Sequence, residues 1–232
     1  MPTDQRHVTP PSKSRARFGT RPAPALRPYF QWGYFRRFTA KENAAARRRI
    51  AARGGPFVRL FVAVEIPETI RTRLSLLQGG VPGARWIRPE NLHLTLRFIG
   101  EVDGRLAGDI DLALAQIPAR PFEIELSGTG VFSPRQPRVL WAGVARSEPL
   151  VALATKIEIA LQRIGVPAET RKFAPHVTLG KLKTPDPARL GQFLSAHGDF
   201  RAGPFPVTHF TLFSSITRPD GSIYRPERVY VL

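Results

Sequence analysis

The sequence of 232 residues contains no cysteine and a single methionine, and its 18 acidic residues are outnumbered by 35 lysines and arginines. The lack of cysteine excludes disulfide bonds and thiolate metal sites. No run of about 18 apolar residues occurs, which argues against a membrane-spanning helix, and the N-terminus lacks the apolar stretch of a secretory signal. Because 42% of the residues are hydrophobic, the chain can still bury a core. A cytoplasmic globular protein is therefore expected.

The excess of positive charge is concentrated near the N-terminus. Residues 1–57 carry 13 Lys or Arg and 2 Asp or Glu, a surplus of 11 out of the net charge of +17. The segment is rich in proline and arginine, and its helix pattern, KENAAARRRIAARGG, has an apolar face made mostly of alanine, so it could bury little surface. We expect a basic extension that is dispensable for folding and catalysis, either disordered or a start-site artefact with native translation beginning at Val58. A tether for nucleic acid is the alternative.

From residue 58 to residue 232, which we expect to form one domain, strand patterns alternate with helix patterns. Three segments have apolar residues at helical spacing, and their predicted core faces are Ile70, Leu74 and Leu77; Leu106, Ile110, Ala113, Leu114 and Ile117; and Leu150, Leu153, Ile157, Leu161 and Ile164. Strands are predicted over residues 59–66, 92–99, 122–132 and 138–145, around residue 176, and near residues 204–213 and 222–232. The order strand, helix, motif strand, helix occurs twice, which predicts two related halves in an α+β fold with two facing sheets.

The two motif strands contain nearly the same residues. The first stretch reads NLHLTLRFIG over residues 91–100, and the second reads APHVTLGKLK over residues 174–183. Alternate residues of a strand face opposite sides. The polar faces would therefore carry His93, Thr95 and Arg97 in the first strand and His176 and Thr178 in the second. Each half thus offers an imidazole and a hydroxyl from a rigid element, which suits catalysis.

A third stretch of the same pattern begins at His209 and reads HFTL. Its polar face continues into Phe213, whereas the other two stretches have cations close by, Arg97 in the first and Lys172 and Lys181 in the second. We therefore interpret His209 as a half-exposed strand histidine outside the catalytic pair. Trp86 and Trp141 are interpreted as core or groove-wall residues, and Phe173 as a core residue.

A metal site is the natural competitor for paired histidines. Two imidazoles without clustered carboxylates fall short of the three or four ligands that zinc takes in proteins, and the sequence contains no HExxH. Glu90, Glu101 and Glu169 are nearby in the sequence but are expected to be solvated turn residues. Neither a metal nor another cofactor is expected.

The stretches RLFVAVEIPE, ARWIRPENLHLTLRFIGEV, RVLWAGV and KFAPHVTLGK, in this order, resemble the two-histidine phosphoesterase superfamily. Within it they are similar to the RNA 2′,3′-cyclic phosphodiesterases, also called 2′,5′-RNA ligases. The resemblance covers residues 58–232 and implies a bilobal fold, with two antiparallel sheets flanking a central groove and helices on the outside. Three features depart from the family pattern: Lys181 stands where an arginine is usual, SPRQP interrupts the middle, and residues 1–57 have no counterpart.

The chemistry of the motif residues agrees with what this resemblance implies. Two imidazoles with a pKa of about 6.5 can take and give protons near neutral pH, and threonine hydroxyls can donate to phosphate oxygens. By the resemblance, His176 is the general base, His93 is the general acid, Thr95 and Thr178 bind phosphate, and Arg97 and Lys181 are further candidate contacts. The implied reaction opens a terminal 2′,3′-cyclic phosphate of RNA to a 2′-phosphate, with reversible 2′,5′ ligation. We expect a monomer without membrane partners.

The sequence leaves two alternatives open. A non-catalytic RNA-binding module would use the groove only to hold phosphate, but permanently charged arginine or lysine would serve that purpose better than two titratable histidines. A related enzyme could act on another cyclic phosphate or on 2′,5′-linked oligonucleotides. We favour the metal-independent cyclic phosphodiesterase.

Overall fold

The computed structural model of the protein describes residues 57–218 and 221–232. The basic extension predicted over residues 1–57 therefore lies outside the described residues, apart from Phe57. Within the described ranges the strands are β1 (Val58–Glu65), β2 (Ala84–Trp86), β3 (His93–Val102), β4 (Phe122–Val131), β5 (Val139–Val144), β6 (His176–Leu182), β7 (Arg201–Val207), β8 (His209–Arg218) and β9 (Gly221–Val231). The helices are α1 (Glu68–Ser75), α2 (Gly104–Ala115), α3 (Glu148–Arg163) and α4 (Pro187–Ala196), with a 3₁₀ turn at Pro89–Asn91. None of these described helices is long and apolar enough to cross a membrane.

The strands pair antiparallel in the order β7-β4-β5-β6-β3-β1-β8-β9, and β2 pairs with β6 beside this path. The strands form two groups of four, β7-β4-β5-β6 and β3-β1-β8-β9, and each group has its motif strand on the side next to the other group. This arrangement confirms the predicted α+β class and its two related halves. The two predicted sheets correspond to these groups of four. They are joined by backbone pairing between β3 and β6, so hydrogen bonding makes them one continuous sheet.

The joint between the halves is short. The register pair between β3 and β6 is Leu94 with Val177, and both side chains are fully buried. Beyond this pair β3 leaves β6, and β2 takes its place by pairing Trp86 with Gly180 and Ala84 with Leu182. The separation of the motif strands leaves space between them on the face opposite the core.

Helix ends and helix faces follow the sequence signals. Asp103, Ser147 and Asp186 cap α2, α3 and α4, because each side chain accepts a hydrogen bond from a backbone N–H in the first turn. In α3 the predicted face is buried at Leu150, Leu153, Ile157 and Leu161, and α3 packs against β3, β4 and α2. Ile70, Leu74, Ile110 and Leu114 are buried as predicted, whereas Leu106, Ile117 and Ile164 are partly buried against the same core.

The strand predicted near residues 204–213 is wrong in its extent. The structure ends β7 at Val207 and starts β8 at His209, and these strands lie in different halves of the sheet, because β7 pairs with β4 while β8 pairs with β1. A continuous apolar pattern runs across Thr208 in the sequence, but the chain passes there from one half to the other. The local pattern of apolar residues does not show that the pairing partner changes from β4 to β1 at this point.

Candidate active site

The predicted histidines and threonines meet at the joint between the halves. Leu94 and Val177 are register partners, and in an antiparallel pair the residues on either side of such partners also face each other. If this register continued by one residue in each direction, His93 would lie opposite Thr178 and Thr95 opposite His176. The four polar side chains lie on the face opposite the buried Leu94 and Val177. The pairing of Leu94 with Val177 thus brings the two His-x-Thr motifs side by side at the joint.

Both motif strands contain a β-bulge directly after the threonine. In β3 the register skips Leu96, so that Arg97 pairs with Val62 while Thr95 pairs with Ala63. In β6 it skips Leu179, so that Gly180 pairs with Leu140 and Thr178 with Trp141. A bulge changes which residue faces which side. The next residues on the polar face are therefore Phe98 and Lys181, and both line the cavity between the halves.

The alternation that predicted Arg97 on the face of His93 is wrong at this bulge. Arg97 is 9% exposed and is directed to the other side of the sheet, where its guanidinium forms an ion pair with Glu158 of α3. It also donates to the carbonyls of Phe98 and Pro167. Arg97 does not line the cavity and is not a substrate contact in this arrangement.

The carboxylate of Glu158 is stabilised in its charged form. Burial alone would raise its pKa, but hydrogen bonds from Gln162, the Glu169 amide and Arg97 outweigh burial and lower the pKa below the ordinary value. The pair thus remains charged at neutral pH, and it connects the bulge of β3 to the segment that leads into β6.

The cavity between the motif strands has a volume of about 330 Å³. His93, Thr95, Thr178 and Lys181 line it, four of the six residues that the sequence predicts for the site. His176 is not among its lining residues and stands two residues before Thr178 on the same face of β6. The remaining walls are formed by residues that the motif does not identify, namely Arg59, Phe61, Ile87, Asn91, Phe98, Ser215, Ser222 and Tyr224.

The imidazole of His93 is held in one orientation by its backbone and by two aromatic rings. Its Nδ1 lies 2.7 Å from the carbonyl oxygen of Asn91, to which it donates, so Nε2 is the nitrogen left to exchange protons. The rings of Phe61 and Tyr224 have their centroids 4.9 and 5.1 Å from that of His93. Burial lowers the pKa of His93, the hydrogen bond to Asn91 opposes this effect, and the charge of His176 lowers the pKa further.

His176 repeats this arrangement in the other half. Its Nδ1 lies 2.8 Å from the carbonyl oxygen of Ala174, again two residues earlier, so Nε2 is the free nitrogen here as well. The ring of Phe132 contacts it edge-on at 4.8 Å. Burial lowers the pKa of His176, with the hydrogen bond to Ala174 acting in the opposite direction. Both histidines can thus serve as proton donors or acceptors at Nε2.

His209 lies away from this arrangement. Its side chain is 13% exposed, more buried than the sequence suggests, and its Nε2 is 3.9 Å from the carboxylate of Glu65. Its Nδ1 lies 3.2 Å from the hydroxyl of Thr208, and it does not line the cavity. Burial lowers the pKa of His209 while Glu65 raises it.

The remaining sequence interpretations concern carboxylates and tryptophans. Glu90 and Glu101 are exposed and pair with Arg88 and Arg59, at 3.4 Å in both cases. In the part of the chain that the structure describes, no group of three or more His, Asp or Glu side chains is arranged to hold a metal ion. Trp86 packs against the core, as expected, and the indole of Trp141 lies over Gly130.

Two strands with a His-x-Thr motif on either side of one cavity define a phosphoesterase of the two-histidine class, and the sequence model of the LigT like Phosphoesterase family matches residues 64–141 and 144–224. The chain belongs to this family. The RNA 2′,3′-cyclic phosphodiesterase of Archaeoglobus fulgidus is 34% identical over 177 residues, which cover 75% of this chain and 99% of the relative.

Two further relatives agree with this assignment. The RNA 2′,3′-cyclic phosphodiesterase of Aeropyrum pernix is 38% identical over 158 residues, covering 67% of this chain and 89% of the relative. The crystal structure of Escherichia coli LigT complexed with 3′-AMP superposes with a TM-score of 0.62 at 26% identity, covering 76% of this chain and 98% of the other. The fold is thus shared over nearly the whole of E. coli LigT.

Proposed function

We propose that the chain is a metal-independent RNA 2′,3′-cyclic phosphodiesterase, which opens a terminal 2′,3′-cyclic phosphate to a 2′-phosphate and can catalyse the reverse 2′,5′ ligation. The observation that carries this proposal is the pair of histidines on two motif strands that meet at Leu94 and Val177, each with its Nδ1 bound to a backbone carbonyl and its Nε2 left for proton exchange. The relatives named RNA 2′,3′-cyclic phosphodiesterase support the choice of substrate.

In the proposed hydrolysis, Nε2 of neutral His176 accepts a proton from water while the water oxygen attacks phosphorus. The bond from phosphorus to the 3′ oxygen breaks, and Nε2–H of protonated His93 gives its proton to that oxygen. The products are a 3′-hydroxyl and a 2′-phosphate. Proton transfers of this kind contribute about 10²- to 10⁴-fold each. The proton gained by His176 and the proton lost by His93 return through solvent after product release.

Charge builds up on the nonbridging oxygens during this step. The hydroxyls of Thr95 and Thr178 line the cavity and would donate hydrogen bonds to these oxygens, an arrangement that stabilises the transition state more than the ground state. Lys181 adds a positive charge at the same wall, where it replaces the arginine of the family pattern as a point charge rather than a planar fork.

The anionic substrate also helps to set the protonation state. Burial lowers the pKa of His93, and the charge of His176 lowers it further, which disfavours the imidazolium that a general acid needs. A cyclic phosphate has one negative charge, and its binding favours the protonated imidazole. Substrate binding would therefore favour the protonated form of His93 that the general acid needs.

The proposal includes a cytoplasmic monomer that acts on RNA or oligonucleotide ends. The complex of E. coli LigT with 3′-AMP supports a nucleotide substrate. Sedimentation of the purified chain at assay concentration would give the mass of one copy, and fractionation of native cells would recover the chain with the cytoplasm. A dimer or a membrane-associated chain would contradict these parts of the proposal.

The decisive experiment measures turnover of a nucleoside 2′,3′-cyclic phosphate with product analysis. His93→Ala and His176→Ala should each reduce kcat/KM by at least about 10²-fold without unfolding the protein, and His209→Ala should retain most of the activity because His209 lies outside the cavity. The product should be the 2′-phosphate, and a chelator should change little. An inactive His209 variant together with an active His93 variant would reject the assignment, as would binding without turnover, which a non-catalytic RNA-binding module would show.

A further inference from the structure

A second cavity, of about 180 Å³, lies beside the first. The two cavities share Phe61, Asn91, His93 and Tyr224 as wall residues. His93 and the two aromatic rings that contact it therefore stand between them.

The second cavity contains a cation, Arg71 of α1, among its wall residues. Within the described residues no carboxylate lies at ion-pair distance from its guanidinium. The hydrogen bond that Arg71 forms with Ser75 uses its backbone carbonyl, which accepts from the serine hydroxyl. The side chain is half-buried, so burial has partly desolvated a charge that no described carboxylate neutralises. Such a guanidinium is suited to an anion.

Two carboxylates, Glu65 and Glu90, also line this cavity, but both have partners of their own. The carboxylate of Glu65 accepts a hydrogen bond from Thr211 at 2.9 Å and lies 3.9 Å from His209. Glu90 pairs with Arg88. Arg71 is the permanently charged donor in the wall of this cavity, where each of the two carboxylates has a contact of its own.

We propose that the second cavity is a subsite for the phosphodiester that joins the terminal nucleotide of RNA to the preceding one, and that Arg71 binds this phosphodiester. The inference rests on the proposed function, because it takes His93 as the donor to the 3′ oxygen. If His93 contacts that oxygen, the terminal ribose lies against His93, between the two cavities. The cyclic phosphate occupies the first cavity, and the 5′ side of the ribose leads into the second.

The walls of the second cavity suit this ligand. Phe61 is buried, and the rings of Phe213 and Tyr224 pack on it at 5.2 and 5.0 Å. Phe213 and Tyr224 are themselves partly exposed, so they offer apolar surface for a sugar or a base beside the cation. Asn91 is held by its amide, which donates to the carbonyl of Ser222 at 3.0 Å. The substrate class would then be an oligonucleotide end with at least two nucleotides rather than a free cyclic mononucleotide.

The test compares two substrates that differ by this phosphodiester, uridine 2′,3′-cyclic phosphate and the dinucleotide with the same cyclic end. Arg71→Gln should lower kcat/KM on the dinucleotide about tenfold, mainly through KM, and should leave the mononucleotide unchanged. Arg105→Gln, which removes an exposed cation of α2, is the charge-matched control and should change neither value. A dinucleotide with a neutral methylphosphonate linkage should lose the same tenfold with the wild-type chain and nothing more with Arg71→Gln.

The outcomes separate the two proposals. If Arg71→Gln affects both substrates equally, or if the methylphosphonate has no effect on the wild-type chain, the subsite is rejected while the phosphodiesterase stands. If the wild-type chain turns over neither substrate, the proposed function fails. The subsite is then judged by equilibrium binding of the mono- and dinucleotide 2′-phosphates to the two chains, where a loss of affinity confined to the dinucleotide would support it and equal affinities would reject it.

Discussion

Arg97 of β3 and Glu158 of α3 form a largely buried ion pair on the side of the sheet opposite His93. The pair is also hydrogen bonded to the carbonyl of Pro167 and the amide of Glu169. These two residues precede the second motif strand, so one pair of side chains fastens the bulge of β3 and the approach to β6. A contact outside the cavity thus links the first motif strand to the segment that enters the second.

We expect Glu158→Ala to destabilise the protein by about 3 kcal/mol, because it leaves the Arg97 charge buried without its partner. Glu148→Ala is the matched control in the same helix. Its partner Arg146 is 89% exposed, and we expect a cost below about 1 kcal/mol. Urea unfolding monitored by tryptophan fluorescence gives both values. Equal destabilisation by the two substitutions would show that the Arg97 pair has no special role.

The pH dependence of turnover follows from the burial of the two imidazoles. Burial lowers the pKa of both His93 and His176 from 6.5, so the bell-shaped profile of kcat/KM should be centred at a lower pH than two ordinary imidazoles would give. Bound cyclic phosphate favours the imidazolium. The alkaline limb of kcat should therefore lie at higher pH than that of kcat/KM, since the two profiles report the complex and the free enzyme.

Initial rates measured across the pH range with saturating and limiting substrate check this expectation. The limbs belong to the coupled pair rather than to single residues, so the position of the whole bell is the quantity to compare. A profile of kcat/KM centred above neutral pH would contradict the lowered pKa values, and identical alkaline limbs would contradict the effect of the substrate charge.

The division of roles between the histidines can be tested with a better leaving group. A 3′-deoxynucleoside 2′-(p-nitrophenyl phosphate) yields a 2′-phosphate as well, but p-nitrophenolate departs without needing a proton. If His93 is the general acid, His93→Ala should lose about 10²- to 10⁴-fold on the cyclic phosphate and much less on the p-nitrophenyl diester. His176→Ala should lose activity on both substrates. The reverse result would exchange the two roles.

Gly130 leaves room for the indole of Trp141, which stands opposite Thr178 in the neighbouring strand. A Cβ atom at residue 130 would lie 2.3 Å from this ring, so Gly130→Ala should destabilise the protein by about 1–3 kcal/mol through overpacking. Gly108→Ala is the control, because a Cβ there meets nothing within 4 Å and alanine favours the helix by up to about 1 kcal/mol. In thermal unfolding, Gly130→Ala should have a lower Tm than the wild type and Gly108→Ala a higher one. A Gly130→Ala variant as stable as the wild type would contradict this packing.

The sequence predicts which polar residues of the motif share a strand face as long as the strand is regular. Alternation correctly grouped His93 with Thr95 and His176 with Thr178, because the backbone of each strand is uninterrupted over these three residues. It failed at Arg97, since the extra residue of the bulge moves Arg97 to the far side and brings Phe98 to the cavity. Bulges depend on the pairing of neighbouring strands, which a local pattern does not show.

Other parts of the site depend on contacts between distant segments of the chain. Tyr224 and Ser222 line the cavity with His93, although about 130 residues separate them. In the sequence Arg71 is only a basic residue of an amphipathic helix. Its position in the wall of the second cavity is visible only in the folded structure. Residue types and helix faces were thus predictable, whereas the partners that the folded sheet brings together were not.

The order of the strands has a consequence for synthesis on the ribosome. The strands β4, β5, β6 and β7 form a group that is continuous in the sequence from residue 122 to residue 207, whereas β1 and β3 are completed by β8 and β9 from the far end. The half that contains His176 can therefore assemble while the chain is still growing. His93 receives its contact with Tyr224 only after residue 224 has been synthesised, so the group of strands around His176 can form while the surroundings of His93 are still incomplete.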